Sequence, residues 1–229
     1  MGQLMAENNS LIEIHEGRKH IYYFLSRFFI DIPDENMYEQ ISSIIPAFSI
    51  ITVNNMIKEG VIGLEHFTSK RNKTKGEERI LFDNDILNDY SILFCQKDKV
   101  YLFQSEYLAP YNKELKDELA YLYKQYGFEI EDNNNTDHIS YQLSFMGYLS
   151  GMQALNLYKE NNEMYHHLLK VQLEFINKYL ITYIHNFFKA VEKIPESALL
   201  YYAGAALITG FIEYDKNFLE KMIKQHIEK

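Results

Sequence analysis

"EIEDNNNTDHISYQLSFMGYLSG", residues 129–151, changes character in its middle. The first half is acidic and asparagine-rich, a composition that favours turns. The second half sets Ile139, Leu143, Met146 and Leu149 at three- and four-residue steps, the spacing of one helix face. At the change stand Asp137 and His138, an adjacent carboxylate and imidazole. Four roles are open to such a pair: acid–base catalysis, metal binding, capping of the helix, or docking of a partner. A helix start leaves backbone N–H groups unpaired and Asp accepts from them, so local chemistry favours Asp137 as the N-cap. The helix dipole disfavours a cationic His138 in the first turn.

The same helical spacing extends to either side. Ile14, Arg18, Ile21, Leu25 and Phe28 form a stripe. It is expected to end at Asp31-Ile32-Pro33, because the residue before a proline avoids the helical region. "DENMYEQISSII" restarts with acids in its first turn, and Pro46 is expected to stop it. A weaker helix runs through "ITVNNMIKEGVIGLEHF", and "TSKRNKTKGEER" reads as an exposed loop. "RILFDNDILNDYSILF" is helical with Leu87, Tyr90, Leu93 and Phe94 on one face, and "CQKDKVYLFQSEYLAPYNK" is an ordered loop. Gly127 closes "ELKDELAYLYKQYGF" as a left-handed C-cap. Beyond residue 151, one long helix is expected over roughly 164–191, with Leu168, Val171, Phe175, Tyr179, Tyr183 and Phe187 on one face. Pro195 suits the first turn of the next helix, Ala203 to Ala206 allow close helix approach, and Asp215 is expected to cap a final helix. No strand–helix alternation occurs, so the fold class is all-α. It is expected as a two-lobed helical bundle: an N-terminal lobe 1–128, a polar hinge 129–138 and a C-terminal lobe 139–229.

Composition narrows the function. Of 229 residues 47% are hydrophobic and 15% aromatic, a globular chain able to bury a substantial core. The formal net charge of -9 argues against nucleic acid as partner and favours a basic peptide or protein. Cys95 is the single cysteine, so no internal disulfide forms and a reducing, cytoplasmic setting is expected. A buried or groove-lining thiol is expected there. The opening residues do not read as a signal peptide, and "GQLMA" lacks the Ser/Thr of a myristoylation signal. "SALLYYAGAALITGFI" is shorter than the roughly 20 residues of a membrane helix, so no stable membrane insertion is expected.

Motifs for chemistry are sparse. There is no GxGxxG or P-loop pattern, no HExxH and no cysteine-pair zinc spacing. His166 and His167 are adjacent, so on a helix they diverge, and His15 and His20 are poorly spaced to share a metal. No metal, cofactor or catalytic residue is expected. An all-α enzyme using Asp137 and His138 as an acid/base pair, or a helical ligand-binding or regulatory domain, remains as an alternative.

Four segments in order carry a resemblance: "RKHIYYFLSRFFIDIPDENMYEQI", "LNDYSILFCQKDKVYLFQSEYL", "TDHISYQLSFMGYL" and "LLYYAGAALITGFIEYDKNFL". Together they resemble the TorD/DmsD/NarJ family of cytoplasmic chaperones for molybdenum-containing redox enzymes. Thr136 and Gln142 stand where that family usually has proline or an acid, and Glu. The resemblance implies an all-helical chaperone, not an enzyme. Such a protein holds the twin-arginine signal peptide, or the apo-form of a molybdoenzyme catalytic subunit, until cofactor is inserted before export. It implies a peptide groove lined by Asp137 and His138 on one side and by Tyr90, Leu93, Phe94, Ser105, Glu106 and Tyr107 on the other. It also implies a monomer that can exchange lobes into a dimer. Acids at 89, 106, 129, 131, 132 and 137 are expected to attract the ligand's arginines.

Overall fold

Helical periodicity dominates the sequence, and the computed structural model is helical to match. It describes residues 2–30, 32–51, 54–96, 100–108, 113–130, 135–193 and 199–226. The helices are α1 Gly2–Arg27, α2 Glu35–Ile50, α3 Asn55–Lys73, α4 Glu77–Phe94, α5 Lys113–Gln125, α6 Ile139–Tyr158, α7 Asn162–Phe175, α8 Ile184–Glu192 and α9 Leu199–His226. A 3-10 turn, Gln104–Glu106, lies in the α4–α5 connection. No strand occurs among the described residues; Phe103 and His138 form one isolated antiparallel bridge.

Local chemistry sets the helix ends. Asp34 caps α2 by accepting from Met37 N at 2.8 Å, and Asn54 caps α3 by accepting from Ile57 N at 2.8 Å, the usual role of such side chains at a helix start. Gly127, at φ 70°, closes α5 as expected, with Phe128 N donating to Tyr123 O at 2.9 Å and Gly127 N to Lys124 O at 3.1 Å.

Several expectations need correction. Pro46 lies inside α2, which runs on to Ile50; Ile41 and Phe48, both fully buried, anchor the helix on either side of the lost hydrogen bond. Most of the polar stretch 68–79 is helical, and only residues 74–76 connect α3 to α4. There Arg71 is buried: it pairs with Glu35 at 2.6 Å and Asp83 at 2.9 Å, and stacks 3.8 Å over the Tyr38 ring. On α4, Leu87 is exposed and Ile86 is buried in its place. Ile14 on α1 is exposed, while its neighbour His15 is buried. Cys95 is exposed, at the C-cap of α4. Asp215 caps nothing, since α9 is continuous through it. α1 ends at Arg27, short of the stop expected at Asp31-Ile32-Pro33, and Pro195 lies outside the described residues.

The long helix expected over 164–191 is broken. After α7 a π turn, Ile176–Leu180, leads into α8. In a continuous helix Tyr179 O would accept from Tyr183 N. Instead it accepts from Thr182 Oγ1 at 2.6 Å and from Gln104 Nε2 at 2.9 Å, and Tyr183 N turns to Leu180 O. Two side chains have taken the carbonyl that would carry the helix on.

The most extensive packing joins α1 to α6 and α3 to α9. Each pair spans the 129–138 segment in sequence. Gly60 permits the α3–α9 approach: a Cβ there would lie 2.4 Å from Leu207 Cγ. At the centre of the α1, α6, α7 and α9 packing lies a buried polar network around Arg18. Its guanidinium donates to Asp215 through Nε at 2.6 Å and Nη2 at 2.8 Å, and to His15 Nδ1, Gln153 Oε1 and Gln172 Oε1. Tyr22 OH donates to Asp215 Oδ2 at 2.7 Å.

Candidate docking site at the start of α6

Residues 135–139 connect three parts of the chain. Thr136 Oγ1 donates to Lys116 O of α5 at 2.9 Å, and Tyr123 OH, also of α5, donates to Thr136 O. On the other side lies the 100–107 loop. Gln104 N donates to Asp137 O at 3.0 Å, and Ile139 N donates to Leu102 O at 2.8 Å. The side chain of Asp137 continues this join, since its Oδ2 accepts from Ser105 N at 2.9 Å. Its Oδ1 faces Lys116 Nζ at 3.5 Å.

Capping falls to the other member of the pair. His138, and not Asp137, is the N-cap of α6: its Nδ1 accepts from Ser140 N at 3.2 Å. A histidine Nδ1 that accepts is unprotonated. Burial pushes the His138 pKa down to about 4 against the pull of Asp137, which keeps the imidazole neutral. The ring lies edge-on to Phe103 at 5.1 Å and near Tyr141 at 5.8 Å. Asp137 is free for its own task because the imidazole does the capping.

Behind the junction runs a row of buried amides. Gln142 Nε2 donates to Gln104 Oε1 at 2.6 Å, and Tyr183 OH donates to Gln142 Oε1 at 2.7 Å. Gln104 also reaches Tyr179 O, so the helix break after α7 and the 100–107 loop depend on each other.

The expected site residues divide into two groups. Ser105, Asp137 and His138 come together directly. Tyr107 stacks on Tyr183 at 5.8 Å and donates to Tyr101 O at 2.8 Å, and Glu106 is exposed beside it. Leu93 and Phe94 are core residues, 1% and 6% exposed, so they face the interior and not an open groove. Tyr90, half-buried, packs on Phe94 at 5.1 Å. A row of ring contacts, Phe94–Phe29–Phe187–Tyr107, links the two groups through the core. Of the acids expected to attract arginines, Asp89 is buried, Glu106 and Glu129 are exposed, and Glu131 and Asp132 lie outside the described residues. An open cleft of about 550 Å³ adjoins the junction, lined by Tyr123, Lys124, Phe128 and Ile130 among others.

Sequence reasoning did not single out Phe103, Gln104 and Lys116. The signal for Gln104 was there: an amide in an otherwise aromatic and aliphatic run, "YLFQSEYL". Lys116 carried none, since a lysine on an amphipathic helix normally faces solvent. Among the described residues no cluster of His, Cys, Asp or Glu is arranged to hold a metal ion, and no helix is long and apolar enough to cross a membrane.

A sequence model of the family described as "Nitrate reductase delta subunit" matches residues 83–189, from within α4 into α8. Curated proteins named "Chaperone protein TorD" from two strains of Vibrio cholerae serotype O1 are each 24% identical over 221 residues, 93% of this chain and 96% of theirs. A third, from an El Tor strain, is 23% identical over the same span. No solved structure gives a significant match.

Proposed function

We propose that this chain, similar along nearly its whole length to proteins named TorD, is a maturation chaperone for a molybdenum-containing redox enzyme. In this reading it works in the cytoplasm before export. It binds the twin-arginine signal peptide of the catalytic subunit, the apoenzyme body, or both, and assists insertion of the molybdopterin cofactor. It is a chaperone and not an enzyme. The observation that carries the reading is similarity along nearly the whole chain to proteins named as chaperones. The start of α6 supports it. The junction holds a buried carboxylate bonded to an aromatic loop, and the whole chain has a net charge of -9. Both features suit an arginine-containing ligand with an apolar run. An acid/base role for Asp137 and His138 fits poorly: one side chain holds Ser105 N and faces Lys116, and the other caps α6.

The resting form is proposed as a monomer. Exchange of the segments before and after 129–138 gives a dimer, but only by breaking the α1–α6 and α3–α9 packing and the Arg18–Asp215 pair and remaking them between chains.

The test has two arms. The tagged protein is recovered from its native cytoplasm, and a molybdoenzyme precursor is expected with it. A synthetic twin-arginine peptide is titrated calorimetrically into the protein, with affinity expected to fall as salt rises through the range where the Debye length is about 8 Å. Asp137→Asn keeps an acceptor for Ser105 N but removes the charge, so it should lose peptide affinity while remaining folded. If the peptide does not bind and no precursor co-purifies, the reading is wrong.

A further inference from the structure

Lys116 is a partly exposed partner of the buried Asp137. The carboxylate is fully buried, and among the described residues its oxygens meet Ser105 N, which is buried, and the Lys116 ammonium, whose side chain is 21% exposed. The Lys116 ammonium also lies 5.3 Å from the centre of the Phe103 ring. Its backbone is fixed, because its carbonyl accepts from Thr136 Oγ1. Movement of Lys116 away from Asp137 is therefore a side-chain rotation.

The fit between Lys116 and Asp137 is incomplete. At 3.5 Å the ammonium neutralises the carboxylate from beyond ordinary hydrogen-bond length. Asp137 Oδ1 has no hydrogen-bond partner among the described residues, and neither have Ser105 Oγ and Ser140 Oγ. Both serines belong to the same junction: Ser105 N is held by Asp137, and Ser140 N by His138. The junction thus holds three buried oxygens without a hydrogen-bond partner among the described residues, and the ammonium that faces one of them also lies against an aromatic ring. An ammonium is a compact point charge. A guanidinium brings five N–H donors in a plane and stacks on aromatic rings.

We propose that Lys116 is an internal placeholder for a ligand arginine: it covers Asp137 in the unliganded chain and swings out when a guanidinium takes the carboxylate. This inference rests on the reading of the junction as a signal-peptide site. It makes Lys116 a determinant of affinity and of the choice of arginine over lysine. A site covered most of the time binds more weakly by the fraction of time it is open.

The test titrates a synthetic peptide, two adjacent arginines followed by an apolar run, and its lysine-pair analogue into the full chain. Lys116→Gln, which keeps the stem over Phe103 but not the charge, should bind the arginine peptide about tenfold tighter than the parent protein. Lys116→Arg, whose own guanidinium can pair with the carboxylate, should bind it more weakly by a similar factor and melt no lower than the parent. The parent should prefer the arginine peptide to the lysine one. If Lys116→Gln fails to fold, Lys116→Arg decides alone. Unchanged affinity in a folded variant overturns the placeholder while leaving the docking site standing. Failure of the parent protein to bind the arginine peptide overturns the docking site, and the placeholder with it.

Discussion

Arg18 and Asp215, 197 positions apart, meet as a two-armed ion pair with N–O distances of 2.6 and 2.8 Å, both side chains buried. Opposite charges taken out of water hold together only if each hydrogen-bonding position is used. Here His15, Gln153, Gln172 and Tyr22 complete the set. Arg18→Met alone leaves the Asp215 charge buried and should cost about 3–5 kcal/mol in urea unfolding. Arg18→Met combined with Asp215→Asn removes both charges and should cost less than Arg18→Met alone. A double variant as unstable as the sum of its parts would mean that the charges do not act as a pair.

Acid should destabilise the fold through two histidines. Burial, aided by the Arg18 charge, holds the His15 pKa well below its usual 6.5, and burial brings His138 to about 4. Between those values the unfolded chain binds protons that the folded chain refuses. Stability is therefore full above about pH 6.5 and falls as pH drops toward 4, approaching about 1.4 kcal/mol per pH unit for each group. Urea midpoints measured across this range should show the slope, and His15→Gln with His138→Gln should flatten it.

Two glycines give opposite expectations. Gly60→Ala drives a methyl into Leu207 and Ala203 O, and should cost about 1–3 kcal/mol. Gly17→Ala on α1 meets nothing within 4 Å and should gain up to about 1 kcal/mol from helix propensity. Thermal melts of the two variants separate close helix approach from backbone entropy.

Burial separates the aromatic and aliphatic wall from the docking rim. Leu93→Ala empties a buried position. It should lower stability by about 2–5 kcal/mol, with peptide affinity per folded molecule unchanged. Glu106 is on the surface. Glu106→Gln should leave stability within about 0.5 kcal/mol of the parent and weaken binding of a twin-arginine peptide. Calorimetry on the folded fraction of each decides. Loss of affinity in Leu93→Ala without loss of stability would return Leu93 to the site.

Dimer formation should be slow. Exchange at 129–138 has to open the Arg18–Asp215 network, so a dimer should be nearly absent from size-exclusion profiles of fresh protein. It should grow after incubation at high concentration in mild urea, and grow faster in Arg18→Met. A dimer that forms at once and equally in both proteins would require a surface interface instead of an exchange.

Fold class was readable because helix patterning is a local property: Ile139, Leu143, Met146 and Leu149 all reach zero exposure, as their spacing promised. Capping by Gly127 was readable for the same reason. What escaped was decided by distant partners. Thr182 and Gln104 break a helix whose own pattern is continuous. Arg71, in a run that looked like loop, is buried because Glu35, Asp83 and Tyr38 wait for it. Within the junction, position and composition marked Asp137 and His138 but not their division of labour, which depends on Ser105 and Lys116.

The distance along the chain between Arg18 and Asp215 also has a consequence for synthesis. At roughly 5–20 residues per second, a ribosome reaches Asp215 about 10–40 s after Arg18. Once α6 has followed, α1 can lie against it, but until α9 is made Arg18 is a cation whose counter-charge is missing. The nascent chain therefore cannot close its core early, and α9 acts as the clasp that commits the molecule to its final shape.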